Sequence, residues 1–313
     1  MSKTDKKSFR AQAERKLSIP RQAFRSRRML IALLLCCCVG ILILLTFRSS
    51  EAGKTKATWL WDTEWIRDSG EEIVSFCRSN HVNLIYLQTS STVGSDTYRS
   101  FIRKAHEAGI DVHALNGAPE WAKERHEEEG ESFIQWVNDY NRQVAAEERF
   151  AGIHLDVEPY LLPEWKQDEA RIVRSWIDNM ETWLQEGRRA GLYMAADVPF
   201  WLPRLDMPTG NGKVSNWMLE QFDSLTIMAY RDNSDSIYDS AKKLLSQADE
   251  LGKPIIIGLE LGKTNEGGYL SFHGKPLDYF EEQLHDVKEL GASHSSFAGA
   301  AVHHLRVWYD RVK

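Results

Sequence analysis

Cysteine is scarce in this 313-residue chain, and most of it lies in one place. Three of the four cysteines, Cys36, Cys37 and Cys38, follow one another in a single apolar run, which leaves Cys77 alone in the rest of the chain. An internal disulfide is therefore excluded after that run, and the hydrophobic core has to stabilise the fold.

Metal-binding and phosphate-binding patterns are also missing. Outside the apolar run there is no pair of cysteines, and the chain has no His-x-x-x-His or His-Glu-x-x-His motif. His303 and His304 are adjacent, so on a strand they face opposite sides, and we expect one in the core and one in a site rather than a shared metal. No Gly-x-Gly-x-x-Gly motif and no complete Gly-x-x-x-x-Gly-Lys-Ser/Thr phosphate-binding loop follows a predicted strand. We therefore predict neither a metal nor a cofactor.

Positive charge is concentrated in the first 28 residues. This segment has ten Lys or Arg against two acidic residues, a charge of +8, whereas the whole chain carries −6. The remaining residues therefore carry about −14, which argues against a nucleic-acid partner.

Residues 29–47 form an uncharged run of 19 residues, just long enough to cross a bilayer as a helix. The basic segment before the run predicts a cytoplasmic N-terminus. The run is longer than the apolar part of a typical signal peptide, and Thr46-Phe47-Arg48 offers no small-residue cleavage site. We predict a cytoplasmic tail (1–28), an uncleaved single-pass cell-membrane anchor (29–47), a polar linker (48–56) and an extracytoplasmic domain (57–313).

After the linker, strand-like runs alternate with helical ones, which is typical of a parallel sheet built from βα units. The predicted strands are Ala57–Trp61, Asn83–Thr89, Asp111–Asn116, Gly152–Glu158, Leu192–Val198, Ser224–Tyr230, Pro254–Leu259 and Ala298–His303. Eight strands in about 255 residues predict the α/β class and a (β/α)8 TIM barrel, preceded here by a single N-terminal transmembrane helix. A doubly wound open sheet is the alternative.

Apolar residues at helical spacing predict the helices between most of these strands. They are Asp68–Ser79, Asp96–Ala108, Ser132–Glu148, Asp168–Ala190, Ser236–Leu251 and Leu277–Leu290. Four glycines, Gly109, Gly191, Gly252 and Gly291, are each expected to end a helix just before a strand. The same spacing predicts three core tryptophans, Trp136, Trp176 and Trp183.

The fourth predicted strand ends in two acids. Asp156 and Glu158 are two residues apart and therefore face the same side, opposite three apolar neighbours. Two carboxyl groups held close together repel, so that one pKa rises and the other falls. A proton donor beside an anion is what cleavage of a glycosidic bond requires.

Carboxylates and aromatic residues gather at the carboxyl ends of the other strands, where such barrels place their active sites. We predict that these residues bind a sugar, because aromatic faces cover sugar rings while polar groups bind hydroxyls. The predicted substrate-binding residues are Trp61, Asp62, Asn116, Trp121, Asp197, Trp201, Arg231 and His304. For four tryptophans a place in the core is as well supported as a place in the site. They are Trp61, Trp121, Trp201 and Trp308.

Residues 152–160, Gly-Ile-His-Leu-Asp-Val-Glu-Pro-Tyr, resemble the fourth-strand motif of the chitinase-like family 18 glycoside hydrolases, which ends in Asp-x-Asp-x-Glu. Residues 225–230 are similar to that family's Met-x-Tyr motif, and residues 256–262 lie where it has a glycine-containing seventh strand. The resemblance implies that Glu158 is the general acid. It also implies that Asp156 and Tyr230 hold an acetamido group of the substrate, which acts as the nucleophile.

Three positions depart from that family. His154 stands where the motif has its earlier Asp, Arg231 replaces the Asp after the tyrosine, and the last strand lacks the family's tryptophan. The departures weaken the prediction of chitin as the substrate, whereas a sugar-binding barrel remains the expectation.

Glu158-Pro159 together with Glu260 is also similar to the large retaining glycosidase clan, although Val157 stands where that clan has Asn. In that scheme Glu158 is the acid/base and Glu260 the nucleophile, with their carboxyl groups roughly 5 to 5.5 Å apart. Otherwise Glu260 is a rim residue that binds a sugar hydroxyl or pairs with Arg231.

The favoured function is a membrane-anchored, extracytoplasmic glycoside hydrolase that cleaves a cell-surface or secreted polysaccharide. Two other classes stay open, because the barrel fold serves many functions. One is a non-catalytic carbohydrate-binding barrel. The other is a structural partner in polysaccharide export or cell-wall assembly.

Overall fold

A computed structural model describes residues 55–313. The eight strands in this range are β1 (Thr55–Leu60), β2 (Leu84–Gln88), β3 (Asp111–Asn116), β4 (Gly152–Leu155), β5 (Met194–Pro199), β6 (Ser224–Met228), β7 (Ile255–Glu260) and β8 (Phe297–His303). Each is parallel to its neighbour, and β8 pairs with β1, so the strands close in sequence order. The predicted (β/α)8 barrel is confirmed.

The predicted tail, the predicted anchor and most of the predicted linker lie outside the described residues. The last two residues of the 48–56 linker belong to β1, which begins at Thr55. Within residues 55–313, no helix is both long enough and apolar enough to span a membrane.

Eight α-helices surround the barrel within the same range. They are α1 (Trp65–Ser79), α2 (Ser95–Glu107), α3 (Glu127–Gln143), α4 (Glu169–Ala190), α5 (Val214–Gln221), α6 (Ser234–Leu251), α7 (Leu277–Gly291) and α8 (Leu305–Val312). The short helices α5 and α8 were not expected from the sequence. Helix α3 begins five residues before the predicted start, with three acidic residues in its first turn that favour a helix N-terminus.

Three of the four helix-ending glycines behave as expected. Gly109, Gly191 and Gly252 have φ values of 74°, 67° and 63°, a conformation that favours glycine. The prediction for Gly291 is wrong, because it is the last residue of α7. A Cβ atom there would lie 2.8 Å from the Phe297 ring, so the glycine is needed for close packing of α7 on β8.

The faces of β4 are as the sequence predicts. Ile153, Leu155 and Val157 are buried in the core between barrel and helices. The strand ends at Leu155, earlier than expected, so both acids lie just past it. The backbone N–H of Asp156 still donates to the carbonyl of Asn116 on β3, at 3.1 Å, which keeps this segment alongside the barrel rim.

The tryptophans divide between core and surface differently from the prediction. Trp176 and Trp183 are buried as expected, and so is Trp308, whose ring contacts Phe76 and which therefore belongs to the core. Trp136 is 36 % exposed, so its assignment to the core is wrong. It lies on the face of α3 that turns towards the carboxyl end of the barrel.

Candidate active site

Asp156 and Glu158 lie together at the carboxyl end of β4. Burial raises the pKa of both carboxyl groups, so the prediction that one pKa rises and the other falls is wrong. The charges of Asp197 and Glu158 raise the pKa of Asp156 further, to well above its ordinary value. One oxygen of Asp156, Oδ1, is buried and has no hydrogen-bond partner in residues 55–313. The site therefore holds protonated carboxyl groups at pH values where exposed acids are ionised.

Tyr160 is the closest partner of Glu158. It lies on a short 3-10 turn, Pro159–Leu161, and its hydroxyl donates a hydrogen bond to Oε2 of Glu158. This hydrogen bond lowers the pKa of Glu158 and so opposes the effect of burial. The Tyr160 ring packs edge-on against Trp201 at 5.1 Å, which brings that predicted rim residue next to the acid. Sequence reasoning missed Tyr160, although it belongs to the same segment as the acids.

Asp197 lies beneath the acids, inside the barrel. The indole N–H of Trp59 donates to its Oδ2 at 2.8 Å, and Nε2 of His154 lies 3.0 Å from its Oδ1. Burial raises the pKa of Asp197 well above its ordinary value and lowers the pKa of His154 to about 3, so one proton is held on the carboxyl group. Asp197 is 3 % exposed, so it is a buried residue below the acids and not an exposed residue of the rim.

The interior below Asp197 is polar and neutral. The Tyr86 hydroxyl lies 3.0 Å from the hydroxyl of Thr226, and its ring stacks on His154 at 3.8 Å. Burial lowers the pKa of His113 to about 3, so this histidine is also neutral. His154, which departs from the family motif, is thus part of the barrel filling and does not face the substrate.

Glu260 on β7 and His303 on β8 are directly paired in the sheet. Nδ1 of His303 lies 2.6 Å from Oε2 of Glu260, and the other carboxylate oxygen accepts from the backbone N–H of Gly262 at 2.5 Å. The indole N–H of Trp61 donates to Nε2 of His303 at 2.9 Å. Because Nε2 accepts, the ring hydrogen is on Nδ1 and points to Glu260.

Tyr230 lies close enough to both Glu260 and the pair of Asp156 and Glu158 to feel their charges. Its ring lies 5.6 Å from the His303 ring, on the Glu260 side of the mouth. Burial raises the pKa of Tyr230, and the carboxylates on both sides raise it further, with Glu260 the largest of these influences. Tyr230 therefore presents a neutral hydroxyl. Gly258 on β7 leaves room for the neighbouring Trp59 ring, because a Cβ atom there would lie 3.1 Å from it.

Two predicted substrate-binding residues are already engaged at the rim. Asp62 forms an ion pair with Arg306 at 2.6 Å. Arg231 donates to the carbonyl of Tyr230 at 2.6 Å, and its guanidinium lies 4.5 Å from the centre of the Phe200 ring. The alternative in which Arg231 pairs with Glu260 is therefore wrong.

The histidine that joins the site is His303, whereas the sequence favoured His304. The two lie on either side of the end of β8, and His304 precedes α8. His304 is half-buried, and burial and the charge of His303 lower its pKa. The sequence could not reveal this, because the histidine that joins the site is the one that pairs with Glu260 on β7.

Asn116 and Trp121 lie on the β3 side of the rim. The Asn116 amide donates to the Thr89 hydroxyl at 3.0 Å, which fixes it at the end of β3. Both residues line a groove of about 1010 Å³ that extends outwards to Trp136. In the part of the chain that the structure describes, no group of three or more His, Cys, Asp or Glu side chains is placed to hold a metal ion.

No family model matches the chain, and no curated protein matches it. Several solved structures, in contrast, are similar to it. An intracellular xylanase from Thermoanaerobacterium saccharolyticum, in complex with xylotriose, aligns with a TM-score of 0.53 at 11 % identity, over 80 % of this chain and 85 % of the xylanase.

Two chitinases align less closely. A GH18 chitinase from Cycas revoluta has a TM-score of 0.45 at 13 % identity, over 82 % of this chain and 97 % of its own. A group II chitinase domain from Ostrinia furnacalis has a TM-score of 0.43 at 12 % identity, over 69 % and 68 %. The similarity to the xylanase confirms the predicted (β/α)8 glycosidase-like fold, and at such identities it concerns the fold alone.

Proposed function

We propose that the barrel is a glycoside hydrolase that cleaves a polysaccharide, with Glu158 as the general acid. The observation that carries this proposal is the buried pair of Glu158 and Asp156 at the carboxyl end of β4, where burial raises the pKa of both. A carboxyl group with a raised pKa keeps its proton to higher pH than an exposed acid and can donate it to the oxygen that leaves the anomeric carbon.

In this mechanism the bond between the anomeric carbon and the bridging oxygen breaks as Glu158 transfers its proton to that oxygen. The Glu158 carboxylate then takes a proton from the water that completes hydrolysis. Asp156 and Tyr230 are placed to orient a substituent next to the anomeric carbon, since Asp156 has a free buried oxygen and the Tyr230 hydroxyl is neutral. An acetamido group in that position would supply the internal nucleophile.

The contacts of Glu260 favour this scheme over the one in which Glu260 is the nucleophile. Both of its carboxylate oxygens already accept hydrogen bonds, from His303 and from the backbone of Gly262. A nucleophile has to direct one oxygen at the anomeric carbon. Glu260 instead holds the His303 ring in place, next to Tyr230.

Several features support a polymeric sugar as the substrate. Aromatic side chains border the mouth at Trp61 on one side and Trp201 on the other, with a groove leading away past Trp121. The similar xylanase was solved with a xylose oligosaccharide. A sugar chain lying across this mouth could contact both tryptophans.

The test is release of reducing ends by the full-length chain from a panel of N-acetylated, deacetylated, neutral and peptidoglycan polymers. Glu158→Gln should lower the rate by roughly 10² to 10⁴ while folding is unchanged, because it removes a proton donor and little volume. Glu169→Gln is the matched control, since Glu169 is an exposed residue in the first turn of α4. Full activity of Glu158→Gln would exclude the proposed role.

A non-catalytic carbohydrate-binding barrel is the second candidate. The observation in its favour is that the Tyr160 hydroxyl already occupies one oxygen of the acid. The same panel separates the two candidates: this one requires polymer binding by the unsubstituted chain without release of reducing ends.

We also propose that residues 29–47 anchor the protein in the cell membrane with the barrel outside the cytoplasm. The uncharged run and the basic segment before it support this arrangement. Deletion of residues 29–47 should move the protein from the membrane fraction to the soluble fraction. Retention in the membrane fraction after the deletion would contradict the proposal.

A further inference from the structure

The groove beside the candidate active site has its own architecture. It runs between the loop that follows β2, including Ser90 and Gly94, and the first three turns of α3. Its volume of about 1010 Å³ is at the upper end of the range for small-molecule sites. Of the residues in the catalytic cluster, none lines it, so the groove is a separate feature.

One wall of the groove is a fixed aromatic surface. Trp136 is 36 % exposed, yet its ring stacks on Tyr140 at 5.9 Å with 26° between the planes and packs edge-on against Tyr98 at 5.6 Å. Trp121 continues the wall and is itself held against Trp183 at 5.8 Å. Exposed indole rings that are held in place lose little entropy when they stack on a sugar.

The groove adjoins the candidate active site at Asn116. This residue lines the groove, and its backbone carbonyl accepts the N–H of Asp156 at 3.1 Å. The groove therefore begins one strand away from the acids. A sugar chain bound at the acids and extending towards β3 would enter it.

The charge of the groove restricts which sugars fit. Glu128 and Glu129 line it, whereas no Lys or Arg from residues 55–313 does. Glu129 pairs with His126 at 2.8 Å, which leaves Glu128 as an exposed carboxylate. Carboxylated or sulfated sugars would be repelled, whereas uncharged or amino-bearing sugars would not.

We infer that this groove binds further sugar units of the same glycan chain, several units away from the bond that is cut, and that these units are uncharged or carry amino groups. The inference rests on the proposed function for the position of the chain across the acids. Binding itself needs no turnover, so it can be measured separately.

The experiment measures the affinity of the full-length chain for hexasaccharides of N-acetylglucosamine, glucosamine and xylose by calorimetry, in the Glu158→Gln background so that no probe is consumed. At least one hexasaccharide should bind, and Trp136→Ala should weaken its binding about tenfold, while the affinity for the matching disaccharide changes less than twofold. Tyr193→Ala is the control, because Tyr193 is similarly exposed, at 38 %, but precedes β5 at the opposite end of the barrel.

Three outcomes would overturn the inference: no hexasaccharide binds, Trp136→Ala binds as tightly as its parent, or the disaccharide loses as much affinity as the hexasaccharide. The result is independent of the hydrolysis assay. Binding that depends on Trp136 without release of reducing ends would reject the hydrolase and keep the groove. Release of reducing ends that depends on Glu158, together with no effect of Trp136→Ala on binding, would keep the hydrolase and reject the groove as a sugar-binding site.

Discussion

His303 donates a 2.6 Å hydrogen bond from Nδ1 to Glu260, its direct neighbour across β7 and β8. The same ring accepts the Trp61 indole N–H, so it is fixed from both sides. We therefore propose that Glu260 acts through His303 rather than directly on a substrate.

Glu260→Gln should lower kcat about tenfold to a hundredfold, less than Glu158→Gln. The reason is that it removes one charge-assisted hydrogen bond, worth roughly 1.5–3 kcal/mol, but leaves an acceptor for His303. Steady-state kinetics on the best polymer of the panel measures this, with the exposed Glu220→Gln on α5 as control. A loss as large as that of Glu158→Gln, restored by added azide, would instead identify Glu260 as the nucleophile.

Tyr160→Phe should shift the alkaline limb of the rate profile to higher pH. The Tyr160 hydrogen bond stabilises ionised Glu158 and lowers its pKa, so its removal raises that pKa and keeps the acid protonated to higher pH. The pH dependence of kcat/KM measures the shift. Tyr269→Phe, on an exposed tyrosine elsewhere in the barrel, should leave the profile unchanged. A limb that moves to lower pH would contradict the assignment of Glu158 as the acid.

Asp197→Asn should become more stable relative to the unsubstituted chain as pH rises from 5 to 8. Asp197 has a pKa well above its ordinary value when folded, whereas in the unfolded chain it ionises near pH 3.9. Its contribution to stability is thus complete below about pH 3.9 and is lost as pH rises towards the folded pKa, by up to about 1.4 kcal/mol per pH unit. Asn has no such loss and can still accept from Trp59. Urea unfolding at several pH values measures the difference, and parallel pH curves would show that Asp197 is ionised when folded.

Gly117→Ala should destabilise the fold by roughly 1–3 kcal/mol and lower activity. A Cβ atom at this position would overlap the backbone carbonyl of Asp156, so the end of β4 has to move. Gly268→Ala is the matched control, because no atom lies within 4 Å of its Cβ position and its φ is not in the left-handed region. Urea unfolding and the reducing-end assay read out the two effects. Equal stability of the two variants would mean that β4 tolerates the displacement.

The barrel and the placement of its two acids followed from local sequence patterns. Side chains on a strand alternate between faces, which predicted that Asp156 and Glu158 share a side opposite Leu155, although the strand itself ends at Leu155. Eight strands separated by helices specify a closed parallel barrel, whose strand ends meet at one rim. Both rules depend on neighbours in the chain and need no knowledge of distances between strands.

Contacts between distant strands were decided only by the tertiary structure. The choice of His303 over His304, the pairing of Asp62 with Arg306 and the exposure of Trp136 all depend on where barrel closure places side chains far apart in sequence. Asp197 was read as a sugar-binding residue because it lies near a strand end, yet it points into the interior towards Trp59. The sequence by itself determined which residues reach the rim. Packing across the closed barrel determined which of them face a substrate, because burial and hydrogen-bond partners come from residues on other strands.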